Sequence, residues 1–132
     1  MTFELTLLGF TLVLTLFQIM VPAILRNRET GIAYNAGPRD EPAPPPGKLT
    51  GRLERAKTNL LETLPVFMGA VLIAHVAGRE GALTMAGTAL YLLARLIYVP
   101  LYALGVPYLR SCAFLAAMAG IGLILLAVLV PV

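Results

Sequence analysis

Residues 5–25 read LTLLGFTLVLTLFQIMVPAIL and contain no charged side chain. The apolar core of a bilayer is about 30 Å thick, so a helix needs about 20 mostly apolar residues to cross it. This run therefore predicts a membrane-spanning helix. A secretory signal peptide would carry a basic segment before a shorter apolar run, whereas this run follows Glu4. We expect the helix to be retained.

Three further apolar runs follow the first. They cover residues 60–77, 83–104 and 109–130. Apolar side chains occupy nearly all sides of these runs, as in helices that face lipid or a buried interior. We predict a single all-α domain over residues 1–132, a transmembrane four-helix bundle with helices at residues 5–25, 51–77, 83–104 and 109–130. Several glycines would permit close helix approach: Gly69, Gly78, Gly87, Gly120 and Gly122.

The composition also favours a membrane protein. Hydrophobic residues make up 58% of the 132 residues and charged residues only 13%, whereas soluble domains average about 45–50% and about 25%. The net charge of +3 comes from basic residues in short polar segments, which argues against a nucleic-acid partner. The single cysteine, Cys112, excludes an intrachain disulfide, and no metal-ligand spacing is present. We therefore expect no nucleic-acid partner and no metal site.

The connection at residues 26–50 is the longest between the predicted helices. It contains Gly31, Gly37 and the segment EPAPPPG at residues 41–47. Proline has no N–H to donate and favours extended polyproline conformation, so we predict a loop here rather than a fifth helix. Thr50 follows, and a threonine hydroxyl is suited to cap the N-terminus of the next helix.

Basic residues are distributed unequally between the two ends of the predicted bundle. Seven belong to the long connection and its flanks: Arg26, Arg28, Arg39, Lys48, Arg52, Arg55 and Lys57. Arg110 lies on the same side, whereas only Arg79 lies on the opposite side. Short cytoplasmic loops are enriched in Lys and Arg. The bias predicts an integral multi-pass protein whose long loop faces the cytoplasm, with both termini on the opposite side.

The predicted helix at residues 51–77 carries a polar stripe. Its members are Arg52, Arg55, Asn59 and Glu62. At about 100° per residue they fall within an arc of roughly 80° on one helix face. The spacings allow Arg55 to pair with Asn59, and Asn59 with Glu62. Because ionisable groups inside membrane segments cost roughly 2.5–3.5 kcal/mol each at the helix centre, the stripe indicates either helix pairing or a binding site.

Two further polar clusters are expected at a similar membrane depth. Arg95, Tyr98 and Tyr102 share one face of the third helix by the same helical arithmetic. Pro100 lies between the tyrosines, removes one backbone hydrogen bond and should kink the helix. Arg110 lies at the start of the fourth helix. All three clusters belong to the end of the bundle next to the long loop.

Cations outnumber anions in these clusters, which hold four arginines but only one carboxylate, that of Glu62. Two interpretations stay open at this point. The arginines can pair with Glu62 and the tyrosines to hold helices together. Alternatively they bind an anionic, peptide-like ligand, with arginine forks on its carboxylates and Glu62 on its amine. Glutathione, with two carboxylates, an ammonium group and a thiol, matches that set.

Two segments carry a family resemblance. Residues 52–67 read RLERAKTNLLETLPVF, which resembles the R-x-x-R-A-x-x-N-x-x-E-x-x-P-x-F signature of the MAPEG family, the membrane-associated proteins in eicosanoid and glutathione metabolism. Residues 94–102 read ARLIYVPLY, which resembles the A-R-x-x-Y-x-x-x-Y stretch on that family's third helix. The four-span pattern is similar over essentially the whole chain. Thr63 is a departure, because enzymatic members often have a tyrosine there.

The resemblance implies a homotrimer that binds glutathione as a co-substrate between neighbouring subunits, open to the cytoplasm. The glutathione-binding positions it implies are Arg52, Arg55, Asn59, Glu62, Arg95, Tyr98 and Tyr102. Arg110 is similar to the family's catalytic arginine, which stabilises the thiolate of glutathione, the nucleophilic form. The implied function is a membrane-bound glutathione transferase or peroxidase-like protein that conjugates glutathione to lipophilic electrophiles.

Two other functions stay open. A non-catalytic MAPEG-type protein would bind lipids or other lipophilic small molecules, or act as a scaffold, and would have little affinity for glutathione. A small multidrug transporter would need a carboxylate in its translocation path, but Glu62 lies among arginines near one end of the bundle and Glu4 is at the terminus. The two motifs favour the glutathione transferase.

Overall fold

The computed structural model describes residues 1–130, and within that range the chain is helical with no strand. Its helices are, in chain order, α1 (Phe3–Thr30), α2 (Ile32–Ala36), α3 (Lys48–Val76), α4 (Ala82–Ala103) and α5 (Pro107–Leu129). The four long helices are long and apolar enough to cross a membrane. The prediction of an all-α, four-helix transmembrane bundle is confirmed. The predicted domain at residues 1–132 also includes Pro131 and Val132, which lie outside the described residues.

Two of the four long helices extend well beyond their predicted limits at one end. α1 continues to Thr30 rather than ending at residue 25, and α3 begins at Lys48 rather than at residue 51. An apolar run marks only the part of a helix that lies in lipid, and polar residues continue the helix into water without breaking its hydrogen bonds. We call the end with residues 31–47 and 104–106 the loop end, and the end with residues 77–81 the far end.

The long connection is not the helix-free loop that the sequence predicts. Gly31, with φ of +88°, ends α1, and the short helix α2 follows directly. The first proline of the connection is Pro38, which lies beyond the end of α2. The residues of α2 therefore keep every backbone donor that a helix requires. The prediction holds only for Gly31 and residues 37–47, which form no helix.

Thr50 does not cap α3, contrary to the prediction. The N-cap is Gly47, three residues earlier, and it makes no side-chain cap bond. The Thr50 hydroxyl instead donates to Oε2 of Glu29 at 2.6 Å, while Oε1 of Glu29 accepts from the Gly47 amide at 3.1 Å. A carboxylate is a stronger acceptor than a neutral group, so Glu29 takes both donors and ties the end of α1 to the start of α3.

α4 and α5 form the most extensive helix contact in the bundle. They approach most closely at Gly87 and Gly120: a Cβ atom placed on Gly87 would lie 2.5 Å from the Gly120 carbonyl oxygen. A Cβ atom on Gly120 would lie 2.6 Å from the Gly87 oxygen. The expectation that glycine permits close approach is confirmed at these two positions. At Gly69 and Gly122 no atom of the described residues lies within 4 Å of such an atom, so those glycines serve no close contact there.

A polar network closes the far end. The Thr2 hydroxyl, which caps α1, donates to Oε2 of Glu80 at 2.7 Å, and His75 Nδ1 lies 3.0 Å from Oε1. The bond from Thr2 is the main reason why the pKa of Glu80 lies below its ordinary value. The buried Glu4 accepts from the Thr84 hydroxyl at 2.6 Å. These bonds hold the first turn of α1 against the α3–α4 connection and the first turn of α4.

The core between α3 and α4 is aromatic. The rings of Phe67 and Tyr91 stack with centroids 3.9 Å apart, and both residues are fully buried. The Tyr91 hydroxyl lies 2.9 Å from the Thr63 hydroxyl. Thr63, at the position where the family motif often has a tyrosine, therefore satisfies a buried phenol in the core.

Candidate functional site

The polar stripe of α3 forms as predicted, on one face of a continuous helix. Strong helix formers occupy most of residues 52–62, and the fully buried Ala56 and Leu60 anchor the adjoining face in the core. Arg55 and Glu62 are exposed in the single protomer, whereas Asn59 is half-buried. The core contacts therefore fix the direction in which the stripe points.

The partners of the stripe come from α4 rather than from α3 itself. Asn59 pairs with neither Arg55 nor Glu62, although helical spacing allows both pairs. Its Oδ1 accepts instead from Nη1 of Arg95 at 2.6 Å. A buried guanidinium makes a stronger hydrogen bond than a solvated neighbour on the same helix does. This explains why Asn59 bonds Arg95 rather than Arg55 or Glu62.

Arg95 is completely buried. Its Nη2 lies 3.5 Å from the Ala56 carbonyl oxygen, its Cζ lies 4.3 Å above the Tyr98 ring, and its Nε has no hydrogen-bond partner among residues 1–130. The cation–π contact supplies part of the stabilisation that a carboxylate would give. Arg95 thus lies behind the stripe, where it holds Asn59, and does not reach the surface.

Tyr102 connects all three helices at the loop end. Its hydroxyl accepts from Nε of Arg55 at 3.1 Å, and the Arg110 guanidinium lies over its ring at 4.6 Å. The Tyr98 and Tyr102 rings are 5.6 Å apart. The two phenols and the two guanidinium groups therefore form one continuous polar surface.

A cleft of about 280 Å³ opens on this surface. It is lined by Arg55, Thr58, Asn59, Glu62, Tyr98, Tyr102 and Arg110. A second cleft of about 210 Å³ adjoins it at Asn59, Tyr98 and Arg110, and extends along α5 to Ser111 and Phe114. A third, of about 190 Å³, also includes Arg110. Arg110 therefore lies at the junction of the three clefts.

The structure brings together six of the eight predicted site residues in the first cleft. The two others, Arg52 and Arg95, do not line it: Arg95 is buried behind Asn59, and Arg52 donates to the Ala103 carbonyl at 3.2 Å. Sequence reasoning missed Thr58 and Phe114. Thr58 lies beside the stripe on the helical wheel, and Phe114 lies one turn after Arg110. Both residues could have been predicted by including every residue on the same helix face as the stripe and as Arg110.

The charge of this cluster is not balanced by ion pairs within the described part of the chain. The ion pairs found in residues 1–130 are Arg26–Glu29, Glu54–Lys57 and His75–Glu80. None involves the four arginines of the cluster or Glu62. Four guanidinium groups and one carboxylate leave an excess of positive charge at the edge of a membrane-spanning bundle, and an anionic ligand would neutralise it.

A cavity larger than this cleft lies at the far end of the bundle. It has a volume of about 370 Å³ and lies between the start of α4 and the end of α5. Its charged groups already have partners: Arg79 donates to the Val130 carbonyl, and Glu80 belongs to the network with Thr2 and His75. The larger cavity thus offers fewer available polar groups than the cleft at the loop end.

The fold and this cluster define a multi-pass integral membrane protein with a cationic, tyrosine-rich cleft at one end of its helices. Residues 5–130 match the model of the MAPEG family, and that match covers essentially the whole chain. The chain therefore belongs to the MAPEG family, and the predicted resemblance is confirmed. No curated protein and no solved structure is a significant match. Membership supports a membrane protein of the eicosanoid and glutathione metabolism type.

Proposed function

We propose that the protein is a membrane-bound glutathione transferase, with peroxidase-like activity, that acts on lipophilic electrophiles. The observation that carries the proposal is the convergence of α3, α4 and α5 on one cleft lined by Arg55, Asn59, Glu62, Tyr98 and Arg110. Cationic, amide, phenolic and carboxylate groups meet there at the edge of an apolar bundle. A polar tripeptide and an apolar partner can both reach such a position.

The groups of the cleft suit the polar groups of glutathione. Arg55 can bind a carboxylate bidentately with its terminal nitrogens, because its bond to Tyr102 uses Nε. Glu62 has no ion-pair partner among the ion pairs of residues 1–130 and suits the ammonium group. The Oδ1 atom of Asn59 is held by Arg95, so its amide nitrogen is left to donate to the ligand.

Arg110 is the residue best placed to activate the thiol. A guanidinium next to the sulfur favours the thiolate over the thiol, and the proton is released to water. The thiolate then attacks an electrophilic carbon, forming a carbon–sulfur bond as the leaving group departs with its electron pair. With a hydroperoxide, the thiolate attacks one oxygen and the O–O bond breaks, giving a sulfenic acid and an alkoxide that takes a proton from water to become an alcohol. The thiol of a second glutathione then converts the sulfenic acid to a disulfide and water.

The electrophile has its own path to the thiol in this proposal. The cleft that includes Ser111 and Phe114 runs from Arg110 along α5. Much of α5 is exposed and apolar, including Leu115 and Leu109. A lipophilic molecule dissolved in the bilayer would move along this apolar surface and meet the thiolate at Arg110.

The proposed assembly is a homotrimer, with glutathione held between subunits and the loop end in the cytoplasm. The clefts are open to the side of the protomer, where Arg55 and Glu62 are exposed, so a neighbouring copy can close them. The concentration of basic residues at the loop end supports its cytoplasmic location, and both termini then lie on the opposite side.

The test follows the thiolate by ultraviolet difference absorbance while glutathione is added to the purified protein in detergent. We expect a saturable thiolate signal in the wild type and a loss of that signal in Arg110→Ala. Arg79→Ala, which removes an arginine at the far end, is the matched control and should behave as the wild type. A wild type without a thiolate signal, or an Arg110→Ala variant that keeps it, would contradict the transferase function.

A non-catalytic, lipid-binding or scaffold protein is the second candidate. The observation in its favour is that the Arg110 guanidinium lies 4.6 Å over the Tyr102 ring, a contact that competes with binding to a sulfur. This candidate predicts a folded protein with no conjugation activity and little affinity for glutathione. The same titration separates the two, because only the transferase gives a saturable signal.

A further inference from the structure

The turn between α4 and α5 leaves one backbone acceptor for a side chain. α4 ends in a Schellman motif, in which the Val106 amide donates to Leu101 O at 3.0 Å and the Gly105 amide donates to Tyr102 O at 3.0 Å. Those bonds satisfy two of the carbonyls that any helix leaves unpaired at its C-terminus. The carbonyl of Ala103 accepts instead from Nη1 of Arg52, on α3, at 3.2 Å.

Gly105 provides the space that this bond requires. Its φ of +72° lies in the left-handed region that favours glycine. A Cβ atom at this position would lie 2.7 Å from Nη2 and 2.8 Å from Cζ of Arg52. The guanidinium therefore packs flat on the face of the turn that has no side chain, and a cation at a helix C-terminus is also favoured by the helix dipole.

The turn sets the relation between two residues of the proposed site. Tyr102 belongs to the last turn of α4 and Arg110 to the first turn of α5, and only residues 104–106 separate the two helices. The guanidinium of Arg110 lies over the Tyr102 ring. We therefore expect a change in the turn to move the start of α5, and with it the guanidinium that is proposed to face the thiol.

We propose that Arg52 is a positioning residue, which clamps the α4–α5 turn through Ala103 and Gly105 and so places Arg110, rather than a residue that contacts glutathione. Arg52 does not line the 280 Å³ cleft that holds the other stripe residues, although it lines the smaller cleft beside the turn. The inference rests on the proposed function for the role of Arg110, but the clamp itself is a property of the turn.

The first measurement tests the clamp without any ligand. Hydrogen–deuterium exchange of the backbone amides at residues 104–111 is compared between the wild type, Arg52→Ala and Arg52→Lys. We expect faster exchange at this turn in both variants, more in the alanine variant, with exchange in the middle of α3 unchanged. Lysine keeps the charge but lacks the planar fork, so it should restore the protection only in part.

The second measurement separates positioning from ligand contact. At saturating glutathione we expect Arg52→Ala to lose turnover and thiolate signal on the order of 10- to 100-fold, as misplacement of a catalytic group by about 1 Å does. Its dissociation constant for glutathione should change by less than about threefold, because loss of a direct hydrogen bond to a charged group costs about tenfold or more. Gly105→Ala should reproduce this pattern, since it displaces the same guanidinium.

Lys57→Ala is the matched control, because Lys57 is another cation of α3 but pairs with Glu54 at 2.6 Å. It should change neither the exchange at the turn nor the turnover. Unchanged exchange at residues 104–111 in Arg52→Ala would overturn the clamp. An Arg52→Ala variant that loses affinity as Arg55→Ala does, with its thiolate signal at saturation intact, would show direct contact and also overturn it. A wild type that binds no glutathione contradicts the proposed function, and the exchange data then still decide on the clamp.

Discussion

Gln18 shows how a single residue can lower the stability of this bundle. It lies on the buried face of α1, 6% exposed, and neither polar atom of its side chain has a partner among the described residues. Pro22, one turn later, has no N–H to donate to the Gln18 carbonyl. A side-chain amide and a backbone carbonyl are thus left without helix partners at one level of the membrane.

We expect Gln18→Leu to stabilise the protein by about 1–3 kcal/mol, the cost of leaving a buried polar group unsatisfied. The melting temperature in detergent measures the change. Thr15→Val is a suitable control, because the Thr15 hydroxyl already donates to the Thr11 carbonyl at 2.8 Å. Removal of that hydroxyl should therefore raise the stability of the protein much less. A less stable Gln18→Leu variant would mean that the amide has a partner, such as an internal water.

The site residues also show which relations between single residues can be predicted from the sequence. Helical arithmetic placed Arg55, Asn59 and Glu62 on one face, because that relation depends only on spacing within one helix. It could not predict that Asn59 would bond Arg95, or that Arg55 would bond Tyr102, because those pairs depend on how α3 and α4 pack.

Among the elements, α4 and α5 depend most on exact contact. Their crossing at Gly87 and Gly120 leaves no room for a methyl group, whereas Gly122, on the same helix as Gly120, faces open space. From the sequence, both Gly120 and Gly122 were candidates for close helix approach. They differ only in the face of α5 that they occupy, and the sequence does not show which face packs against α4.

Gly87→Ala should destabilise the bundle by about 1–3 kcal/mol, the usual cost of overpacking a tight core. Gly122→Ala should stabilise it by about 0.5–1 kcal/mol, because alanine is the better helix former where nothing is displaced. Thermal unfolding of the two variants in the same detergent measures both. Equal effects of the two substitutions would contradict the close crossing.

The exact limits of the helices could be predicted from the sequence only in part. Apolar length was enough to predict four membrane spans, because the bilayer imposes that length directly. It did not reveal α2, which contains no apolar run long enough to span a bilayer, or the three early residues of α3, which are tied to the carboxylate of Glu29 at the end of α1. An acceptor about 20 residues away in the chain cannot be predicted from local capping preferences.

For the whole molecule, the polar groups divide between the two ends. The far end is closed by paired groups, with Glu80 bonded to both Thr2 and His75. The loop end keeps Arg55, Arg110 and Glu62 out of the ion pairs found in residues 1–130, around an open cleft. The ion pairs Arg26–Glu29 and Glu54–Lys57 also lie at the loop end, but neither includes a residue of the cleft. Cations without a carboxylate partner around an open cleft attract anions, so the loop end is where we propose that a ligand binds.

Calorimetric titration of glutathione into the purified protein in detergent tests most directly whether glutathione binds at the loop end. We predict saturable binding by the wild type and by Arg79→Ala, and an affinity weaker by about tenfold or more in Arg55→Ala, which loses a charged hydrogen bond to the ligand. A folded wild type that gives no heat of binding, or three proteins with the same affinity, would contradict a glutathione site at the loop end.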